Sequence, residues 1–143
     1  MSLSEDIIRA AEIEKEAFPA PWTGAEIKKL LESPFVRLHT EKRADRITGY
    51  CIYSLVLGEM EVLKIAVDKD FKRQGIAFNM LSGLIASKDV EAVFLEVRTQ
   101  NLPAVALYEK LGFKRIGLRK GYYENGDDAI VYKLDKSERQ VDL

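Results

Sequence analysis

The chain is poor in the residues that build most metal and redox centres. Its 143 residues include one cysteine, Cys51, and one histidine, His39. A lone cysteine forms no internal disulfide and leaves no Cys-based zinc site. Cys51 lies in the strand-like run Gly49-Tyr50-Cys51-Ile52-Tyr53, which predicts a buried structural thiol rather than a reactive one. His39 sits in an early strand-like segment away from the motifs below and is assigned no catalytic part. No apolar run approaches the roughly 20 residues that cross a bilayer. No basic, apolar and small-residue leader is visible, so the expected location is the cytoplasm. Neither sign of charge dominates: a net charge of -1 supplies no field that would draw the chain to nucleic acid or membrane. The length suits one domain over residues 1–143.

The punctuation along the chain predicts an α/β order. Ser4 is expected to cap a helix running to about Ala17, with Ile7, Ile8, Ala11 and Ala17 as its apolar stripe. Phe18-Pro19-Ala20-Pro21-Trp22 breaks it. Thr23-Gly24-Ala25-Glu26 is a capping-box pattern and predicts a second helix from Gly24 to about Glu32. Phe35 to Thr40 and Ile47 to Leu57 read as hairpin strands, and Glu61 to Val67 as a third extended run. A helix is expected over Gly75–Ala86. Ala92 to Val97 is nearly continuous in apolar residues, as in a buried central strand. Asn101, Pro103 and Gly112 mark the cap, first turn and end of another helix. Lys114–Gly117 and Asp128–Leu134 form a closing hairpin, and the polar tail 137–143 is expected to fray. The front half is thus antiparallel and the middle is a βαβ unit.

The richest stretch is Lys72-Arg73-Gln74-Gly75-Ile76-Ala77, between an apolar strand and an apolar-periodic helix. The first backbone N–H groups of a helix have no partner inside it and can face an anion. A glycine there lets backbone approach the anion without a Cβ in between. Lys72 and Arg73 add positive charge. The stretch reads as a phosphate cradle, although ordinary strand–turn–helix connections also carry such residues. It is not a P-loop, since no Lys-Ser or Lys-Thr follows the glycine, and it lacks the three-glycine dinucleotide spacing.

Four stretches in this order and spacing resemble the GNAT superfamily of N-acetyltransferases: Ile65-Ala66-Val67-Asp68; Arg73-Gln74-Gly75-Ile76-Ala77; Leu95-Glu96-Val97-Arg98 with Asn101; and Ala106-Leu107-Tyr108-Glu109-Lys110-Leu111-Gly112-Phe113. With Tyr122-Tyr123 and Asp127-Asp128-Ala129-Ile130, the chain looks like the RimI-type ribosomal-protein alanine N-acetyltransferases and archaeal enzymes that acetylate protein N-termini. Each motif is weak alone; together they span nearly the whole chain. Lys72 stands where the family usually has Gln or Arg, and Phe78 where it often has Arg. The family's first strand is expected to be absent or very short.

The resemblance implies a mixed, mostly antiparallel sheet with a V-shaped cofactor cleft and transfer of acetyl from acetyl-CoA to an amine, with no metal. It implies that Ile65, Ala66 and Val67 pair by backbone with the pantetheine arm. Lys72, Arg73, Gln74, Gly75, Ile76, Ala77 and Phe78 would surround the pyrophosphate, and Asn101 would both cap its helix and touch the cofactor. It makes Glu96 the general base and Tyr108 the general acid. Without it, Glu96 is an ordinary exposed glutamate or an ion-pair partner of Arg98, and Tyr108 a core aromatic sharing a face with Ala104 and Leu111. The acceptor implied is a protein or peptide N-terminus, plausibly of a ribosomal protein, between walls formed by Pro21 and Trp22 on one side and Tyr122 and Tyr123 on the other. A lysine or small-amine acetyltransferase and a non-catalytic acyl-CoA-binding module are the alternatives. Lys114, Arg115, Arg119 and Lys120 read as a solvated hairpin face rather than a nucleic-acid patch.

Overall fold

A computed structural model describes residues 2–137. Helix α1 spans Leu3–Ala17 and α2 spans Gly24–Leu30. Strands β1 (Val36–Arg43), β2 (Arg46–Val56) and β3 (Glu59–Val67) follow as an antiparallel meander. A single 3₁₀ turn, Lys69–Phe71, leads to α3 (Ile76–Ile85). Then come β4 (Ala92–Arg98), α4 (Leu102–Leu111), β5 (Lys114–Arg119) and β6 (Ala129–Asp135). The six strands form one sheet in the order β1-β2-β3-β4-β6-β5, in which only β3 and β4 run parallel. Among the described residues no strand precedes α1. Residues 138–143 of the tail expected to fray lie outside the described residues.

Two apolar layers sandwich the sheet. On one face, α1 and α2 bury Ile7, Ala10, Ile13 and Ile27 against Ile47, Tyr50 and Ile52. On the other, α3 and α4 bury Leu81, Ile85, Tyr108 and Leu111 against Cys51, Val62, Val93, Leu95 and Val97. Period-2 alternation along β2 sends Tyr50 and Ile52 to one layer and Cys51 to the other. Cys51 is fully buried, and burial pushes its thiol pKa up to about 12, so the expected structural thiol holds.

Two local expectations are corrected. The cap of α1 is Ser2, whose hydroxyl accepts the Glu5 N–H, not Ser4. Its buried stripe is Ile7, Ala10, Ile13 and Glu14, while Ile8 is 61% exposed and Ala17 is at the surface. The i, i+3, i+7 face therefore carries a carboxylate, which the apolar pattern had passed over. The capping box at Thr23 and Glu26 forms as expected, as does the Asn101 cap of α4. The central strand β4 is fully buried on one face only.

Candidate active site

A split in the sheet makes the site. β3 and β4 pair only where Glu59, Met60 and Glu61 meet Ala92, Val93 and Phe94, and then part. At the split, β2 pairs Ile52 with Lys64 but Tyr53 with Val62, leaving Leu63 as an extra residue in β3. Such a bulge bends its strand and sharpens the twist. From Val62 to Val67, β3 is hydrogen-bonded to β2 on one edge and open on the other, leaving backbone donors and acceptors for a ligand. The resulting V-shaped cleft holds about 800 Å³, the size of a substrate pocket. Ile65, Ala66 and Val67 line one side; Leu95, Glu96, Val97 and Arg98 line the other.

The basic loop closes one end of this cleft. Arg73 and Gly75 both have positive φ, 64° and 76°. Gly75 is the N-cap of α3 and offers no side-chain cap, so the first amides of α3 have no capping side chain; a Cβ on Gly75 would meet nothing within 4 Å. The helix start is seated by a close approach: a Cβ on Gly49 would stand 3.2 Å from Ile76 and 3.1 Å from Met80. Lys72, Arg73, Gly75, Ile76, Ala77 and Phe78 line the cleft, with Asn101 on the far side. Gln74 is exposed and does not line it. Phe78 packs on the α3–α4 core beneath Lys110, whose Nζ lies 4.9 Å from its ring centroid. The Asn101 side chain accepts the Ala104 N–H at 3.3 Å.

Glu96 and Tyr108 reach the same cleft from opposite faces. Val93, Leu95 and Val97 belong to the α3–α4 layer, so Glu96 projects to the α1–α2 face. Tyr108 comes from α4, 5% exposed, with its ring against Phe113 and Tyr132. Only where the sheet is split can both line one space, and both do. Burial raises the Tyr108 pKa above the usual phenol range, and its hydroxyl has no protein hydrogen-bond partner among the described residues. Glu96 is not paired with Arg98. Its carboxylate is 2.9 Å from Arg119 Nε and accepts a hydrogen bond from the Tyr122 hydroxyl, which raises the Tyr122 pKa. Arg98 instead donates to Asn125 and Asp127 and lies 3.8 Å from the Tyr123 ring centroid. Arg119 is thus part of the site rather than only a solvated hairpin residue.

The expected walls divide differently. Tyr123 lines the cleft, while Tyr122 stands beside it, 50% exposed and edge-on to Tyr123. From the proline-rich loop it is Phe18 that lines the cleft. Pro21 is half-buried off the cleft, and Trp22 borders a separate groove of about 610 Å³ with Glu26, Leu30 and Val36. Behind Phe18 lies a polar cluster that the sequence reading missed. Glu14, fully buried, accepts from Trp22 N–H at 2.7 Å, from the Tyr50 hydroxyl, and from Lys64 Nζ at 3.4 Å. The available signal was a charge on the buried stripe of α1. Among the described residues there is no group of three or more metal-binding side chains, and no helix is long and apolar enough to cross a membrane.

A split mixed sheet, a backbone edge open at the split and a basic helix start at one end define an acyltransferase fold of the GNAT class. The chain belongs to the Acetyltransferase (GNAT) family, matching it over residues 7–113, and is an N-acetyltransferase. It is 34% identical over 135 residues to the ribosomal protein bS18-alanine N-acetyltransferase of Salmonella typhimurium, covering 90% of each chain. It is 36% identical over 141 residues to the N-alpha-acetyltransferase RimI of Mycobacterium tuberculosis, covering 93% of this chain and 89% of that one. The crystal structure of the ribosomal-protein-S18-alanine N-acetyltransferase from Escherichia coli superimposes with a TM-score of 0.85 at 31% identity, over 94% of this chain and 90% of that one.

Proposed function

We propose that the protein transfers acetyl from acetyl-CoA to the N-terminal α-amine of a protein, with a ribosomal protein as the acceptor its relatives suggest. The observation that carries this reading is the meeting of Glu96 and Tyr108 in one cleft from opposite faces of the split sheet. The open edge of β3 is suited to pair with the pantetheine arm, and the amides at Gly75, with Lys72 and Arg73, to hold the pyrophosphate. Phe78 supplies an apolar surface there in place of a further cation.

An α-amine has a pKa near ~8, so at neutral pH it must lose a proton before it can attack. Glu96 takes that proton, directly or through a water. The amine nitrogen then bonds to the acetyl carbon, the carbon–sulfur bond breaks, and the leaving thiolate receives a hydrogen bond and then a proton from Tyr108. Burial, which raises the Tyr108 pKa, keeps this hydroxyl a hydrogen-bond donor but a weaker acid, so the hydrogen bond it gives the leaving sulfur comes first and the proton follows only as charge builds there. Arg119 and Tyr122 hold Glu96 in place. An α-amine needs less help than a lysine with pKa ~10.4, a difference of about 3 kcal/mol.

The test is a pair of peptides, one with a free N-terminal Ala or Ser and no lysine, the other N-blocked with an internal lysine. The expected product is α-acetylation of the first and little reaction with the second, located by mass spectrometry. Comparable lysine acetylation would overturn the N-terminal reading. A thermal shift with acetyl-CoA but no thiol release with any amine would point to a binding module instead.

A further inference from the structure

The Glu14 cluster joins four segments: α1 through Glu14, the loop through Phe18 and Trp22, β2 through Tyr50, and β3 through Lys64. Lys64 pairs with Ile52, whose side chain packs under α1, so Lys64 points to the face from which Glu96 also enters the cleft. Its ammonium lies 3.7 Å from the Phe18 ring centroid and 4.8 Å from that of Trp22. Two aromatic faces and a buried carboxylate thus hold one cation in a fixed place. The cluster is not required by the acetyl transfer derived above.

Its charge balance is uneven. Glu14 divides its two oxygens among Trp22 N–H, Tyr50 and Lys64, and the contact to Lys64 is the longest of the three. An ammonium has three donors. Lys64 therefore keeps donor capacity, lines the cleft, and is 18% exposed. Of the other cations among the described lining residues, Lys72 and Arg73 stand at the basic loop, and Arg98 is held by Asn125 and Asp127. The one carboxylate among the described lining residues, Glu96, already has Arg119 and Tyr122.

We propose that Lys64, fixed by buried Glu14 between Phe18 and Trp22, is a specificity-determining residue that favours acceptors carrying a carboxylate close behind the reacting amine. The inference rests on the N-terminal acetylation reading above. A lysine or arginine in the same place of the acceptor would meet the ammonium and be disfavoured.

Three matched peptides test it, beginning Ala-Asp, Ala-Asn and Ala-Lys, with kcat/KM measured for each and the acetyl group located by mass spectrometry. Wild-type protein should prefer Ala-Asp over Ala-Lys by about fivefold or more, the scale of one partly exposed ion pair. Lys64→Met should level the series, Lys64→Arg should restore it, and Lys64→Glu should reverse it. Because Lys64→Met leaves a buried carboxylate unpaired, the double variant Glu14→Gln with Lys64→Met is measured beside it and should be equally level. A wild-type ratio near one, or a ratio that survives in Lys64→Met or the double variant, overturns the role of Lys64 while leaving α-acetylation intact. Absence of α-acetylation on all three peptides overturns the N-terminal reading and this inference together.

Discussion

Arg119 on the edge strand β5 reaches past β6 to place its Nε 2.9 Å from the Glu96 carboxylate on β4. In register, Arg119 stands opposite Ala129 of β6, which pairs with Arg98, so its side chain reaches two positions back along β4 to Glu96. The proposed base is thus a carboxylate that lines the cleft and is paired with a cation from the edge of the sheet.

Glu96→Gln retains the shape and the contact to Arg119 but cannot accept a proton. Turnover should fall on the order of 10²-fold or more, with acetyl-CoA affinity by calorimetry close to wild type. Raising the pH should restore part of the rate, since more acceptor amine is then already neutral. A near wild-type rate at pH 7 would remove Glu96 from the mechanism.

Tyr108→Phe removes a hydroxyl that has no hydrogen-bond partner among the described residues, and keeps the ring against Phe113 and Tyr132. Its melting temperature should change little while thiol release slows on the order of 10²-fold. A thiol reagent can follow this cleanly, because buried Cys51 with its raised pKa should stay silent in the native protein. Equal rates for the variant and wild type would assign Tyr108 to the core alone.

Gly75 separates backbone strain from lost binding. At φ 76° a β-branched residue is strained, whereas Asn tolerates the left-handed region. Gly75→Val should weaken acetyl-CoA binding by a few kcal/mol, the scale of lost charged hydrogen bonds, and Gly75→Asn by much less. Unchanged calorimetric affinity in a folded Gly75→Val protein would move the phosphate site elsewhere.

Asp68 connects the fold to pH. It accepts the Asp70 N–H at 2.9 Å and ion-pairs with Arg9 and with Arg46 Nη2, the latter at 3.1 Å. The Asp70 amide first, and then Arg9 and Arg46 working against burial, hold its carboxyl below the usual range. A pKa lowered by folding stabilises the native state fully above the unfolded value of about 3.9, and that contribution disappears as pH falls through the native value. Asp68→Asn should therefore lower stability at pH 7 and flatten its decline in denaturant titrations below about pH 4. An unchanged acid limb would show that Asp68 does not govern it.

Local chemistry was legible where one residue decides it. The capping box at Thr23, the Asn101 cap, the Gly112 stop and the glycine at the start of α3 were readable because each is a short-range hydrogen-bond or φ requirement. The apolar runs of β2, β3 and β4 were readable for the same reason, since period and β-propensity are properties of neighbours in sequence. So was the order of motifs that carries the family resemblance. Partnership across the sheet was not legible. Which cation meets Glu96 depends on β6 lying between β4 and β5, and sequence proximity pointed to Arg98 instead of Arg119. That Phe18 rather than Trp22 lines the cleft depends on how the loop folds over Glu14. Glu14 itself, a charge on an amphipathic helix, becomes a buried anchor only when Trp22, Tyr50 and Lys64 arrive from three other segments. Its burial is tolerable only with those donors in place, and only the tertiary structure supplies them.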